Sequence, residues 1–308
     1  MNEETREFLE KVASSKKPPL SSQTPEQVRK INKVFIDLSH PKETVAKVEN
    51  RTIPGPGGEL PLRIYTPEGV GPFPVLVYFH GGGYVLGDLE MVDSICRTLA
   101  NAAKCLVISV EYRLAPEHKF PAAIEDGYSA TLWAAENAAT VNGDATRIAV
   151  GGESAGGNLA AVVALMARDR LQPPLTYQLL IYPSTQLGLL PTESRRLYGE
   201  NYFLTTDSIV WFAQQYLPVG EDSKNAYISP LLAEDLTNLP PGLIITAEYD
   251  PLRDEGEAYG DRLQKAGVPM KVSRYPGTIH GFINLAGMLT LGQEALKEAA
   301  QELKAVLW

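Results

Sequence analysis

The feature that most constrains the fold is a series of short apolar runs, each followed by a stretch with helical spacing. Several runs are apolar at every position, which is typical of parallel strands covered on both faces of a sheet. Strands that alternate with crossover helices predict a mostly parallel sheet with helices on both sides. The predicted strands are residues 59–65, 74–79, 105–110, 147–151, 177–182, 242–247 and 270–275, and residues 54–58 are predicted to form the hairpin turn before the first.

Two segments interrupt this alternation. Residues 1–45 carry helical patterns, and a second helix is predicted to start with Thr24 as N-cap, Pro25 at the first helical position and Gln27 completing a capping box. Residues 183–240 hold helical pieces but no convincing strand. An insertion of this length after a strand end is a candidate lid over a site. The N-terminal helices either pack on the core or form part of that lid.

The composition excludes several classes of protein. The chain has 308 residues, 44% of them hydrophobic and 21% charged, which suits a large globular core. The net charge of −9 and the absence of an arginine-rich run argue against a nucleic-acid partner. The longest apolar runs are strand-length, so no membrane span is expected. The charged N-terminus has no apolar signal region, so a cytoplasmic protein is expected.

The chain has two cysteines, Cys96 and Cys105, and four histidines. Cys96 lies in a predicted helix and Cys105 opens a predicted buried strand. Two reduced, buried thiols are therefore expected rather than a disulfide or a metal pair. No Cys/His spacing resembles a zinc site, so neither a metal nor another cofactor is predicted.

A strand–turn–helix transition near the middle of the chain carries a candidate nucleophile. Residues 152–156 read Gly-Glu-Ser-Ala-Gly, between an apolar strand and a helix predicted over residues 155–169. This fits a nucleophile elbow, in which a sharp turn holds the central serine in strained dihedrals and requires glycine on both sides. The pentapeptide is weak evidence alone, because an ordinary glycine-rich turn reads the same way. Ser154 needs a base, an acid and oxyanion donors before it becomes catalytic.

The chain offers a base and an acid at the ends of two later strands. His280 follows the last predicted strand through residues 276–279, which are expected to form a turn, although on position alone it could be a surface histidine. Asp250 stands at the tip of strand 242–247, where the alternative is a helix N-cap. Asp254 and Glu255 are nearby rivals inside the first helical turn. The order serine, aspartate, histidine matches that of α/β-hydrolases.

Candidate oxyanion donors follow an earlier buried strand in the segment His80-Gly81-Gly82-Gly83. Three successive glycines are entropically costly unless the bare backbone is used. The alternatives are a flexible loop or a phosphate cradle, but neither a G-x-G-x-x-G motif nor a Walker lysine accompanies the run. His80 is interpreted as a structural residue that holds this loop, not as the base.

Five motifs in order give the chain a specific resemblance over about residues 45–308. The chain resembles the hormone-sensitive-lipase family of carboxylesterases. This resemblance implies an α/β-hydrolase fold with an eight-stranded, mostly parallel sheet. It also implies a helical cap from residues 1–45 and 184–225, on a catalytic core of residues 46–183 and 226–308. The motifs are His80-Gly81-Gly82-Gly83, Tyr112-Arg113-Leu114-Ala115-Pro116-Glu117, Gly152-Glu153-Ser154-Ala155-Gly156-Gly157, Asp250-Pro251-Leu252-Arg253-Asp254-Glu255 and His280-Gly281-Phe282.

The same resemblance assigns roles within the site. It implies Ser154 as nucleophile, His280 as base and Asp250 as acid. It further implies an oxyanion hole formed by three backbone N–H groups, those of Gly82, Gly83 and Ala155. One position departs from the family pattern, since Glu153 stands where the family usually has aspartate.

The sequence hypothesis is therefore two-step hydrolysis of short- to medium-chain acyl esters, with a small-molecule ester as the partner. An amide or lactone hydrolase on the same triad is the first alternative. A non-catalytic receptor is the second, because the plant gibberellin receptors resemble this family, although such a protein would be expected to lack the base. Aromatic side chains available for the substrate pocket are Tyr84, Tyr182, Tyr202, Phe203, Trp211 and Phe282.

A homodimer through strand 270–275 is a further expectation. This strand is predicted at the sheet edge, and an edge strand must be covered, paired or protected. Lys271, Ser273 and Arg274 could equally protect the edge as solvated side chains.

Overall fold

A single eight-stranded sheet forms the centre of the computed structural model, which describes residues 1–15, 18–187 and 190–308 and, for residues 31–35, only the backbone. The order across the sheet is β1-β2-β4-β3-β5-β6-β7-β8. The first two strands run antiparallel to their neighbours, and all later pairings are parallel, which confirms the predicted fold class. The strands are β1 Lys47–Gly55, β2 Gly58–Thr66, β3 Phe73–Phe79, β4 Leu106–Val110, β5 Gly143–Glu153, β6 Tyr177–Ile181, β7 Gly242–Tyr249 and β8 Met270–Ile279.

Helices connect the parallel strands on both sides of the sheet. The capping box predicted for the second helix is present, with the Thr24 side chain accepting from the Gln27 backbone N–H and the Gln27 side chain accepting from Thr24. The α-helices of the described segments are α1 Glu3–Ser14, α2 Pro25–Leu38, α3 Asp93–Ala103, α4 Ala122–Asn137, α5 Ala155–Asp169, α6 Glu193–Tyr198, α7 Thr206–Tyr216, α8 Arg253–Lys265 and α9 Thr290–Leu307.

Successive side chains of the central strands point to opposite faces of the sheet. In β3, Val75 and Val77 contribute to one core cluster, whereas Leu76 and Tyr78 contribute to the other. The first cluster includes side chains of α4, α5 and α8, and the second includes those of α3 and α9. Since apolar groups are removed from water on both faces, the sequence of these strands is continuously apolar rather than alternating.

Two turn predictions were wrong in detail. The hairpin turn is narrower than residues 54–58, because Gly55 pairs with Gly58 and leaves two residues between the strands. The turn expected over residues 276–279 is part of β8, where pairing with β7 shifts between Ala247 and Tyr249 and then resumes at Ile279. Two extra residues are accommodated in β8 as an irregularity of the bulge type, with Gly277 at a φ of 83°.

The structure also bears on the segment between β6 and β7, on the two cysteines and on the expected lack of a membrane span. Helices α6 and α7 lie between β6 and β7, and residues 183–187 and 190–240 contain no strand, as predicted. Residues 16–17 and 188–189, which fall in the predicted cap segments, lie outside the described residues. Cys96 and Cys105 are buried and free, as predicted. Within the described ranges, no helix is long and apolar enough to cross a membrane.

Candidate active site

The strand–helix turn at the carboxyl end of β5 holds Ser154 in a strained conformation. Ser154 has a φ of 58° and a ψ of −118°, and α5 begins at the next residue. A Cβ at Gly152 or Gly156 would overlap the carbonyl oxygen of Phe79 in β3. The two flanking glycines are therefore required because β3 and α5 approach too closely for side chains, which is the physical basis of the elbow pattern.

Ser154, His280 and Asp250 form one hydrogen-bonded chain. The Oγ of Ser154 lies 3.0 Å from Nε2 of His280, and Nδ1 of His280 lies 2.7 Å from Oδ2 of Asp250. His280 is 7% exposed and Asp250 is fully buried. Asp250 also accepts a hydrogen bond at Oδ1 from the backbone N–H of Leu252 at 2.8 Å. The carboxylate is thus held from both sides, so it can fix the orientation and tautomer of the imidazole.

The rival residues have other partners. Oδ2 of Asp254 accepts from the backbone N–H of Ser194 at 2.7 Å. Glu255 forms a buried ion pair with Arg195, 2.7 Å between the guanidinium nitrogen and Oε2. Both carboxylates therefore connect the start of α8 to the segment around α6. Of the other histidines, His118 is exposed and His40 contacts the carbonyl of Pro41.

The glycine run after β3 lies beside the serine. A Cβ at Gly81 would lie 3.3 Å from Cβ of Ser154, and the run lines the same pocket as Ser154 and Ala155. Gly82 and Gly83 have φ values of 109° and 62°, where a side chain is strained. His80 is fully buried, its Nδ1 lies 2.7 Å from the carbonyl oxygen of Gly81, and burial lowers its pKa to about 4. A histidine that stays neutral in this position suits the predicted structural role.

Glu153, singled out in the sequence as the departure from the family pattern, is the centre of a buried network whose partners the motifs did not predict. Its Oε1 accepts from the backbone N–H of Gly81 at 2.6 Å and from Nδ2 of Asn284 at 3.4 Å, and its Oε2 accepts from the Tyr78 hydroxyl at 2.9 Å. The Tyr182 hydroxyl donates to Asn284 at 2.7 Å. Burial raises the pKa of Glu153 to about 7. The departure from the usual aspartate therefore lies where the glycine run meets the loop after His280.

A largely apolar pocket of about 170 Å³ opens onto Ser154 and His280. Helix α7 contributes Ile209, Phe212 and Ala213 to its wall. Six aromatic residues were proposed from the sequence as candidates for this pocket. In the described part of the chain, three of them line it: Tyr84, Tyr182 and Phe203. The other three do not: Tyr202, Trp211 and Phe282. Among the described residues, no group of His, Cys, Asp or Glu is arranged to hold a metal ion.

Comparisons with known proteins agree with this fold and indicate a class of enzyme. The sequence profile of the family described as alpha/beta hydrolase fold matches residues 76–284. Carboxylic ester hydrolase LipN of Mycobacterium tuberculosis is 48% identical over 245 residues, which span 77% of this chain and 65% of LipN. An arylesterase of Saccharolobus solfataricus is 39% identical over 284 residues, 92% of each chain. The solved ester hydrolase EH1AB1 from the Lake Arreo metagenome superimposes with a TM-score of 0.96, at 44% identity over 99% of this chain and 98% of that one.

The fold and these relatives define the class of protein. The chain belongs to the α/β-hydrolase fold family. The resemblance to the hormone-sensitive-lipase group of carboxylesterases, predicted from five motifs, is confirmed by relatives that are named as ester hydrolases.

Proposed function

We propose that this chain is a serine carboxylesterase that hydrolyses short- to medium-chain acyl esters through an acyl-enzyme intermediate. The observation that carries the proposal is the continuous hydrogen-bonded chain from Ser154 through His280 to buried Asp250. Its end lies in an apolar pocket, where a neutral ester can bind. The relatives that are named as carboxylic ester hydrolase and arylesterase support the same reaction class.

In the first step, Oγ of Ser154 attacks the ester carbonyl carbon while Nε2 of His280 takes the hydroxyl proton. The tetrahedral intermediate collapses, the bond from carbon to the alcohol oxygen breaks, and His280 gives its proton to the departing alcohol. In the second step, His280 takes a proton from water as the water oxygen attacks the acyl carbon. The acid leaves, and the proton returns to Ser154. Asp250 stabilises the imidazolium that forms in each step.

The oxyanion of both intermediates is assigned to the backbone N–H groups of Gly82, Gly83 and Ala155. Two observations support this assignment. The glycine run and Ala155 line the pocket beside Ser154. Ala155 is also the first residue of α5, so its N–H lies at the positive end of the helix dipole. Donors fixed in advance at this point stabilise the developing charge without reorganisation.

Replacement of the nucleophile tests the proposal. Ser154→Ala is expected to remove hydrolysis of aryl acetates and butyrates, while the parent protein hydrolyses both and a phosphonate ester labels only the parent. Side-by-side rates on matched esters and anilides measure the preference for esters. A Ser154→Ala variant that hydrolyses aryl esters at the parental rate would overturn the proposal, and so would a parent that binds esters without turnover.

The cap is proposed as residues 1–45 and 184–225, over a core of residues 46–183 and 226–308. The contribution of α7 to the pocket wall supports this division. A series of aryl esters from acetate to palmitate measures the acyl-length preference that this wall imposes. An optimum at palmitate would contradict the assignment to short and medium chains. The cytoplasmic location expected from the sequence stays a prediction.

A homodimer through residues 270–275 is the second part of the proposal. Strand β8 lies at the edge of the sheet and pairs with β7 on one side. Lys271 and Arg274 form ion pairs with Glu298 and Glu257 of the same chain, which is also how an edge is protected from pairing. Light scattering at micromolar concentration decides between a dimer paired through β8 and a protected, unpaired edge. A monomeric mass would refute the dimer.

A further inference from the structure

Tyr84 continues the strained backbone of the glycine run. It directly follows Gly82 and Gly83, and it has a φ of 64°, in the left-handed region that side chains other than glycine rarely adopt. The turn is closed by hydrogen bonds from the N–H groups of Val85 and Leu86 to the carbonyl oxygen of Gly82. A bulky residue persists in such a conformation only when its surroundings hold it there, and this is common beside active sites.

Tyr84 is 2% exposed and is held by several contacts. Its hydroxyl donates to Oδ1 of Asn158 at 2.5 Å. Its carbonyl oxygen accepts from the backbone N–H of Ala115 at 2.8 Å. Its ring stacks on that of Tyr216, with 3.9 Å between the centroids and 5° between the planes. The side chain and the backbone of Tyr84 are therefore fixed from three directions.

Asn158 connects this contact to the nucleophile. It lies in the first part of α5, four residues after Ser154, and its backbone N–H donates to the Ser154 carbonyl at 3.0 Å. Its Nδ2 donates to the carbonyls of Ser184 at 2.6 Å and Ile228 at 3.1 Å, near the two ends of the insertion that carries α7. Asn158 is 1% exposed, so its side-chain amide forms hydrogen bonds with these protein groups in place of those it would form with water in the unfolded chain.

Tyr216 connects Tyr84 to the wall of the pocket. It is the last residue of α7, and the C-terminal end of this helix is held by Lys119, whose Nζ donates to the carbonyls of Gln214, Gln215 and Leu217. Phe212 of the same helix lies against Gly83, where a Cβ would overlap its ring. Helix α7 therefore lines the pocket beside Ser154 and contacts both the glycine run and the ring of Tyr84.

We propose that Tyr84 is a positioning residue that sets the oxyanion donors of the glycine run relative to Ser154. Its hydroxyl fixes the position of the glycine run relative to α5, the helix that begins directly after Ser154. Its ring fixes the position of the run relative to α7. The inference rests on the proposed function, because it concerns the donors of that reaction. Both steps of the reaction pass through an oxyanion, so a misplaced donor lowers kcat whichever step is slower.

The test is Tyr84→Phe, which removes only the hydroxyl and keeps the stacked ring. We expect kcat on an aryl acetate to fall by about ten- to a hundredfold, because a displacement of catalytic groups by about 1 Å has an effect of this size. We expect KM to change by less than about twofold. Inhibition by a phenylboronic acid, which forms a tetrahedral adduct on the serine, weakens in parallel. Tyr128→Phe is the matched control, because Tyr128 is 7% exposed and the substitution also removes one tyrosine hydroxyl, which donates to the Gln172 carbonyl at 3.0 Å in a partly buried hydrogen bond.

The result that overturns the inference is a Tyr84→Phe variant whose kcat and boronic acid affinity match those of Tyr128→Phe, or one in which only KM rises. Combination with Asn158→Ala adds a second readout: there, Tyr84→Phe is expected to cost less than about twofold because its partner is already absent. An undiminished loss in that background overturns the proposed partner. Should Asn158→Ala fail to fold, the comparison with Tyr128→Phe decides alone. An inactive parent would instead overturn the proposed function.

Discussion

The buried carboxyl of Glu153 makes a quantitative prediction about stability and pH. It has two close donors, the N–H of Gly81 and the hydroxyl of Tyr78, and within the described part of the chain no cation is a hydrogen-bond partner of its carboxylate. Burial is the largest cause of the rise in its pKa from 4.5 to about 7, and the hydrogen bonds from Gly81, Tyr78 and Asn284 oppose it. The folded protein therefore binds a proton at this site over a pH range in which the unfolded chain has lost it.

The sign and the size follow from linkage. Between pH 4.5 and about 7, the folded state holds more protons at Glu153 than the unfolded state, so the free energy of unfolding falls as the pH rises. One pKa unit corresponds to about 1.4 kcal/mol. A rise from 4.5 to about 7 therefore means that ionised Glu153 destabilises the fold by about 3 kcal/mol above neutral pH, relative to the protonated form.

Glu153→Gln removes this dependence and keeps the shape. The amide oxygen still accepts from Gly81, and the amide N–H₂ donates towards the oxygen of Tyr78. We expect the free energy of unfolding of the variant, minus that of the parent, to rise by about 3 kcal/mol between pH 4.5 and pH 8. Urea unfolding followed by tryptophan fluorescence measures both values at each pH.

Burial also raises the pKa of Glu255 to about 7. Both proteins contain Glu255, so its contribution cancels when the free energy of unfolding of the parent is subtracted from that of the variant. A difference that changes by less than about 1 kcal/mol over this range, or that falls as the pH rises, would show that Glu153 is not held protonated by burial. In that case the desolvation account of this network is wrong.

Two further substitutions test the packing around the site. Arg195→Met leaves the carboxylate of Glu255 buried without its cation, so we expect the free energy of unfolding, measured with urea at pH 8, to fall by about 3 kcal/mol. A fall of less than about 1 kcal/mol would show that this ion pair contributes little to stability. Gly83→Ala places a methyl group against the ring of Phe212 at a φ of 62°, so kcat on aryl esters should fall by at least about tenfold. Gly220→Ala is the matched control, since that glycine has a φ of 84° but open space around it, and equal activity of the two variants would refute the packing argument.

Features that depend on neighbouring residues in the chain could be predicted from the sequence. The capping box of Thr24 and Gln27 is made by groups three residues apart, and the elbow around Ser154 is marked in the sequence by a glycine two positions to either side of the serine. The apolar strands were predicted because burial on both faces leaves a continuous apolar run. His280 and Asp250 could be proposed because the carboxyl ends of parallel strands meet at one edge of a sheet, and each residue follows such a strand.

Contacts between residues far apart in the chain could not be predicted in this way. The hydrogen bond between Glu153 and Asn284 joins positions 131 residues apart, and that between Tyr84 and Asn158 joins positions 74 apart. Such pairs depend on the order of the strands and on the path of loops, neither of which leaves a periodic pattern. The only sequence signal for the second pair was the tyrosine directly after three glycines, a bulky residue where the turn demands a positive φ.

Three residues beside the reacting groups also fasten the insertion that carries α7. Asn158 follows Ser154 by four positions and donates to the carbonyls of Ser184 and Ile228. Glu255 follows Asp250 by five positions and forms an ion pair with Arg195. Tyr84, next to the glycine run, contributes the stack on α7. The insertion is therefore attached through the same short elements that carry the proposed nucleophile, acid and oxyanion donors. Because these elements serve both the site and the insertion, a substitution that shifts the insertion should change turnover as well as acyl-chain preference, even when the substituted residue contacts no substrate.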